Sequence, residues 1–280
     1  MNQLLKAELK RRLSSFIFFC EIALIIGINF IQIIWSEFGF QVDTGYFVFQ
    51  NFKIICILIA INSCLQIGQE FENHTINNKL YVGFSKSEFY KYEMVVGIIE
   101  TVILFLFDTL SVIIMSSIQK FTPITLSSKI ILNSLAVIIA LTVVSCLSTT
   151  LAVIIKYRIV SVFIIIGLSI LLLNVGYSSA RSLMQPPKTT LFSLDGKLCE
   201  NPLYVTGSTR TLHNLHINIS PYGQATYACY LSTETQKEKY NNSLFFKKNS
   251  WHIEFVLIDI LELIIIYAVG LYILKRRDLN

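Results

Sequence analysis

Apolar residues along this chain gather into six long runs with polar segments between them. They cover roughly Ser14–Trp35, Phe52–Gly68, Glu93–Ile118, Ile130–Ile155, Ile159–Tyr177 and Trp251–Leu274. Most approach the ~20 residues needed to cross ~30 Å of hydrocarbon. The second is the shortest, and its pattern is open to extension as far as Phe71. No backbone N–H or C=O facing lipid can stay unpaired, so each run is expected to be a helix. The pattern predicts an all-α membrane protein with six transmembrane helices.

The polar segments differ in kind. The first, NQLLKAELKRRL, places Leu5, Leu9 and Arg12 near one helical face, and leaves Lys6, Lys10 and Arg11 to reach lipid headgroups. It reads either as a basic flank that orients the first span or as a helix lying along the interface. The run after it lacks the small-residue cleavage pattern of a signal peptide. Between the second and third spans, residues 69–92 (QEFENHTINNKLYVGFSKSEFYKY) are far longer than a connector needs. A helix is expected around Thr75–Tyr81, with Leu80, Tyr81 and Phe84 available to a cytosolic partner and Glu70, Glu72, Lys79 and Lys86 as rim charges. The segment Ser178–Ser250 holds Tyr204, Tyr222, Tyr227, Tyr230, Phe245 and Phe246 with turn signals at Pro186–Pro187, Asp195–Gly196 and Pro221–Gly223, which argues order. Leu215–Ile219 alternates as a short strand would. The chain thus divides into 1–177, 178–250 and 251–280.

Composition supports the membrane reading. The 280 residues are 54% hydrophobic and 15% charged, where a soluble domain carries about a quarter charged residues, and mean hydropathy is +0.61. The net charge of +5 comes from Lys and Arg beside apolar runs, which fits lipid headgroups and not nucleic acid. One set of short flanks holds Lys6, Lys10, Arg11, Arg12, Lys79, Lys86, Lys91, Lys156, Arg158, Lys275, Arg276 and Arg277; the opposite set holds Lys53, Lys120 and Lys129. By the positive-inside rule both termini are cytoplasmic and the 178–250 loop, between the fifth and sixth helices, is extracellular.

Past the span ends, Glu21, Glu100, Asp108, Glu254, Asp259 and Glu262 lie within the predicted spans. No Lys or Arg is expected at their depth, so they should face a bundle interior, a cavity or a partner. Hydrogen bonding to neighbouring helices, an acidic lining for a cationic substrate and a proton relay are all open readings. Glu100, Asp108, Asp259 and Glu262 are the candidates for a substrate path or a subunit interface. Cys20, Cys56, Cys64 and Cys146 lie in spans; Cys199 and Cys229 share the outer loop, where a disulfide is possible. His74, His213, His216 and His252 and the cysteines lack metal-ligand spacing, so no metal is expected. The chain has no GxSxG elbow, no HExxH helix and no phosphate-binding loop. It is not expected to be an enzyme by itself, to have catalytic residues or to bind a cofactor.

Glu72, Thr75, Leu80, Gly83-Phe84-Ser85-Lys86 and Lys91 follow in the order of a motif after the second span of ATP-binding-cassette export permeases of the second class. His74 stands where that motif has Gly, Gly83 where Pro is common and Lys86 where Arg is usual. The close Lys275-Arg276-Arg277-Asp278-Leu279 is similar as well. The chain resembles that class, and within it the bacterial subgroup for bacteriocin and lantibiotic export or immunity. The resemblance implies a bacterial plasma-membrane permease whose 69–92 segment couples to a cytosolic ATPase dimer through Glu72, Thr75, Leu80, Tyr81, Phe84 and Lys86. It implies ATP and Mg on that partner, a second permease protomer, lipid contact, and an amphipathic or cationic antimicrobial peptide as substrate. Ions, lipids or drugs are alternative cargoes. A membrane sensor whose outer loop binds a ligand is an alternative of another class, against which stands the lack of a cytosolic output domain.

Overall fold

The computed structural model describes residues 2–37, 49–118, 128–189, 197–224 and 251–276. Among these the chain is helical: α1 Asn2–Leu13, α2 Phe16–Glu37, α3 Phe52–Glu72, α4 Thr75–Tyr81, α5 Lys86–Ile118, α6 Ser128–Ile155, α7 Arg158–Leu183, α8 Gly207–Ile219 and α9 Trp251–Arg276. The described β structure is a two-residue antiparallel ladder, β1 Lys188–Thr189 with β2 Cys199–Glu200. α3, α5, α6, α7 and α9 are each long and apolar enough to cross a membrane. Leu5–Leu13 of α1 and Phe16–Gln32 of α2, bent by 51° at their break, pass the same test together, which gives five or six such helices according to whether the bent pair is one span. The chain is a multi-pass membrane protein by the length and composition of these helices.

α6 is the central helix. It packs against α3, α5, α7 and α9, and buries Ala140, Leu141, Val144, Cys146, Ala152 and Val153. α2 leans on α5, and α3 lies between α6 and α7. Two contacts set these approaches. A Cβ on Gly270 of α9 would sit 2.0 Å from the Tyr90 hydroxyl, which is bonded to Thr150 at 2.6 Å and the Ile266 carbonyl at 3.3 Å. Tyr90 thereby ties α5, α6 and α9 together at one end of the bundle. At the same end, the start of α7 lies against the end of α3.

The span boundaries mostly match the hydropathy runs, with longer helices. α3 reaches Glu72, and α7 continues past Tyr177 to Leu183. The expected strand at Leu215–Ile219 is corrected: these residues complete α8. Five alternating residues do not separate the two periods. Leu212, Leu215 and Ile219, spaced three and four apart, share an exposed stripe while Ile217 is buried, which is helical patterning.

Nor does the described part of 178–250 stand off as a separate unit. α8 returns along α7 and also touches α9. The pairings run in order: the Arg210 guanidinium donates to the Leu183 carbonyl at 3.5 Å, His213 Nδ1 meets Ser179 Oγ at 3.0 Å, and the Tyr222 hydroxyl meets Ser169 Oγ at 2.8 Å. Ser169 lies about 21 Å along α7 from Leu183 at 1.5 Å per residue, so this arm dips to the middle of α7. Gly176 and Gly223 permit the approach: a Cβ on Gly176 would lie 3.1 Å from the Gly223 Cα. Tyr227, Tyr230, Phe245, Phe246 and Cys229 lie outside the described residues, and with Cys229 the question of a Cys199 bridge.

Candidate functional site

The polar hook is built by two turns. His74 ends α3 in a left-handed conformation, φ 55°, and Gly83 closes α4 at φ 104°. The Thr75 hydroxyl donates to the Glu70 carbonyl at 3.0 Å. A reciprocal cap then starts α5: the Ser85 amide donates to Glu88 Oε2 at 2.9 Å, and the Glu88 amide donates to Ser85 Oγ at 3.2 Å. The helix expected at Thr75–Tyr81 is present with those bounds. Its inner side is anchored by Ile76, which is buried, and by Leu80, packed on the core. Its free tip is Tyr81, 87% exposed, with Val82, 79% exposed. Of the residues singled out from sequence, Tyr81 is therefore outermost, Leu80 turns inward, and Thr75, Phe84 and Lys86 are half-buried. Glu72 is exposed and lies 3.9 Å from Arg158. Val82 was not singled out, although it neighbours Tyr81 beyond the end of a short amphipathic helix.

Beneath the hook lies a buried ion-pair cluster that corrects the sequence reading of Glu70 and Lys79 as rim charges. Lys79 Nζ is 2.7 Å from Glu8, 2.8 Å from Glu70 and 3.7 Å from Glu93. Arg11 pairs with Glu8 at 2.7 Å and with Glu70. Loss of solvation pulls the Lys79 ammonium down in pKa, but Glu93 and Glu70 raise it by more, and the net shift is upward. Oxygens of Glu8, Glu70 and Glu93 lie within 4.8 Å of one another, a spacing that would suit a cation. Lys79, Arg11 and Arg12 supply the positive charge there.

Arg12 overturns a second expectation, that no base reaches the depth of the span carboxylates. It is fully buried and pairs with Glu93 and, at 3.3 Å, with Glu100. The Asn62 amide bridges Glu100 to Glu21, 3.1 Å from the latter. Further along α5, Asp108 Oδ1 accepts from Asn29 and Asn51, both at 2.9 Å, and Asn29 also reaches Ser111. Glu93, Glu100 and Asp108, seven and eight residues apart, thus form one polar stripe of α5 answered by α1, α2 and α3. The stripe spans about 22 Å. Glu100 and Asp108 have partners inside this chain's own bundle.

Of the remaining candidates, Asp259 meets the α8 arm. Asp259 is fully buried on α9, and its Oδ1 accepts from Gln224 Nε2 at 2.8 Å. Glu262, one turn on, is partly buried. Gln224, Tyr222 and Ser169 were not singled out from sequence as site residues; Pro221–Gly223 showed only as a turn signal. Glu254 is half-buried near the start of α9. No family model, no curated protein and no solved structure matches the chain.

Proposed function

We propose that the chain is the membrane permease subunit of an ATP-driven exporter in a bacterial plasma membrane, with both termini cytoplasmic. A separate ATPase dimer binds ATP and Mg, and a second permease protomer completes the path. The observation that carries this reading is the hook. A seven-residue helix between two spans exposes an aromatic tip and is bound underneath by ion pairs to α1, α3 and α5. A connector has no need of such a mount, whereas a helix that receives force does. Closure of a docked ATPase would press on α4, and the buried pairs would pass the displacement to α3 and α5. The substrate this reading favours is an amphipathic or cationic antimicrobial peptide, exported or kept from the membrane, with Asp259 and Glu262 as acids toward its path. Ions, lipids and drugs are the competing cargoes.

Replacing Tyr81 and Val82 together with Asp tests the hook. Both side chains are exposed, so folding should be unaffected, while charge at a packed contact opposes docking. Transport or peptide protection is expected to fall at least tenfold with normal membrane abundance. Full transport with unchanged ATPase association would overturn the docking role.

A further inference from the structure

Away from the hook, Gln224 joins the α8 arm to α9. Gln224 Nε2 donates both its protons, to Asp259 Oδ1 at 2.8 Å and to the Asn218 carbonyl at 3.0 Å. Among the described residues of α8 and α9, three further oxygens are buried without a hydrogen-bond partner: Asp259 Oδ2 and, on α8, Asn218 Oδ1 and Asn214 Oδ1. Asn214 and Asn218 are one turn apart on α8 and so share a face. One oxygen of the Asp259 carboxylate and the two asparagine side-chain oxygens are thus left unsatisfied, as are both ring nitrogens of His216 on the same helix. Asp259, fully buried, has a neutral amide as its hydrogen-bond partner.

We propose that Asp259, with the Asn218 carbonyl and side chain beside it, binds a primary ammonium group, and that the Gln224 amide occupies the ammonium's place in the structure described. A carboxamide brings two protons and no charge; an alkylammonium brings three protons and a unit charge. The ammonium would take over both bonds made by Gln224, reach a third acceptor and form a charge-assisted pair with the carboxylate, roughly twice as strong as a neutral hydrogen bond. Displacing Gln224 would release the arm from α9, coupling ligand binding to movement of α8. Glu262, three residues on, adds a second acid toward the same end of the ligand. The inference rests on the reading of Asp259 as a substrate-path acid and deepens it. The same ammonium chemistry is carried by a peptide lysine and by an aminophospholipid headgroup.

The test uses the full chain in phosphatidylcholine nanodiscs, without ATP or any ATPase, and dodecylammonium as the probe. Asp259→Asn is expected to weaken binding at least tenfold, and Gln224→Ala to tighten it several-fold by removing the stand-in. Dodecyltrimethylammonium, which has no N–H, should bind at least tenfold more weakly than the primary amine. Gln224→Lys places an ammonium on the chain itself; it should abolish probe binding and raise the melting temperature. Wild-type affinity in Gln224→Lys, or weaker binding in Gln224→Ala, would overturn the proposal even if Asp259→Asn failed to fold. Competition by phosphatidylethanolamine added to the nanodisc assigns the lipid as source. Competition by a lysine-containing amphipathic peptide, lost on lysine acetylation, assigns the peptide. If neither competes, the site is not one for these ligands and the proposal falls. A negative result leaves the Tyr81/Val82 test of ATPase docking unaffected, so the two readings fail separately.

Discussion

Arg12 shows how much one residue's placement decides. Arg11 and Arg12 are neighbours in sequence and about 100° apart on a helix. Arg11 keeps its guanidinium partly in solvent, while Arg12 is wholly enclosed between Glu93 and Glu100. A buried ion pair is weak evidence for net stability, but removing one partner leaves uncompensated charge and costs about 3–5 kcal/mol. Arg12→Met is therefore expected to lower the melting temperature of the purified protein sharply or to reduce its membrane abundance, while Arg11→Met has a much smaller effect. Pairing Arg12→Met with Glu93→Gln and Glu100→Gln should recover part of the loss, as a thermal-unfolding comparison would show. Equal, small effects at both arginines would contradict the enclosed position of Arg12. The sequence held a signal for it: Glu21 and Glu100 called for a counter-ion, and Arg12 is the basic residue closest to the start of the first span. It was obscured because basic residues before a span ordinarily serve orientation.

At the scale of elements, hydropathy located the long helices well because a hydrocarbon slab imposes one length and one conformation on each crossing. The short helix α4 was also legible, since its polar segment was too long for a connector and carried apolar residues at helical spacing. α8 was not. Leu215, Ile217 and Ile219 alternate, and what decides their state is tertiary: one side of α8 rests on α7 and α9, and its exposed stripe of Leu212, Leu215 and Ile219 lies opposite. The arm also depends on close backbone approach. A Cβ on Gly223 would lie 2.9 Å from the Ile217 Cα and 3.1 Å from the His216 carbonyl oxygen, neither of which is a flexible side-chain end. Gly223→Ala is expected to loosen the arm locally. Hydrogen exchange in residues 207–219 should rise severalfold, while α3 and α6 remain as protected as in the wild type. Unchanged exchange in the arm would mean that Gly223 does not hold it.

For the whole molecule, the sequence made the membrane class and five of its six expected spans legible, and left the candidate site only partly so. Asp259 stood out because a carboxylate in an apolar run demands explanation. Gln224, its partner, lies 35 residues away in a polar loop where a glutamine is unremarkable, so only the fold joins them. The hook's mount was hidden for the same reason: Glu8, Glu70, Lys79 and Glu93 come from four elements. On the proposed function, this mounted helix works for a separate ATPase. The most direct measurement is affinity purification of the native-level chain from its own membranes, with mass spectrometry of what accompanies it. The expected result is an ATPase subunit bearing a phosphate-binding loop, near one copy per permease chain, lost when Tyr81 and Val82 are replaced by Asp. Recovery of an intact, abundant chain with no such ATPase under mild solubilisation would contradict the account.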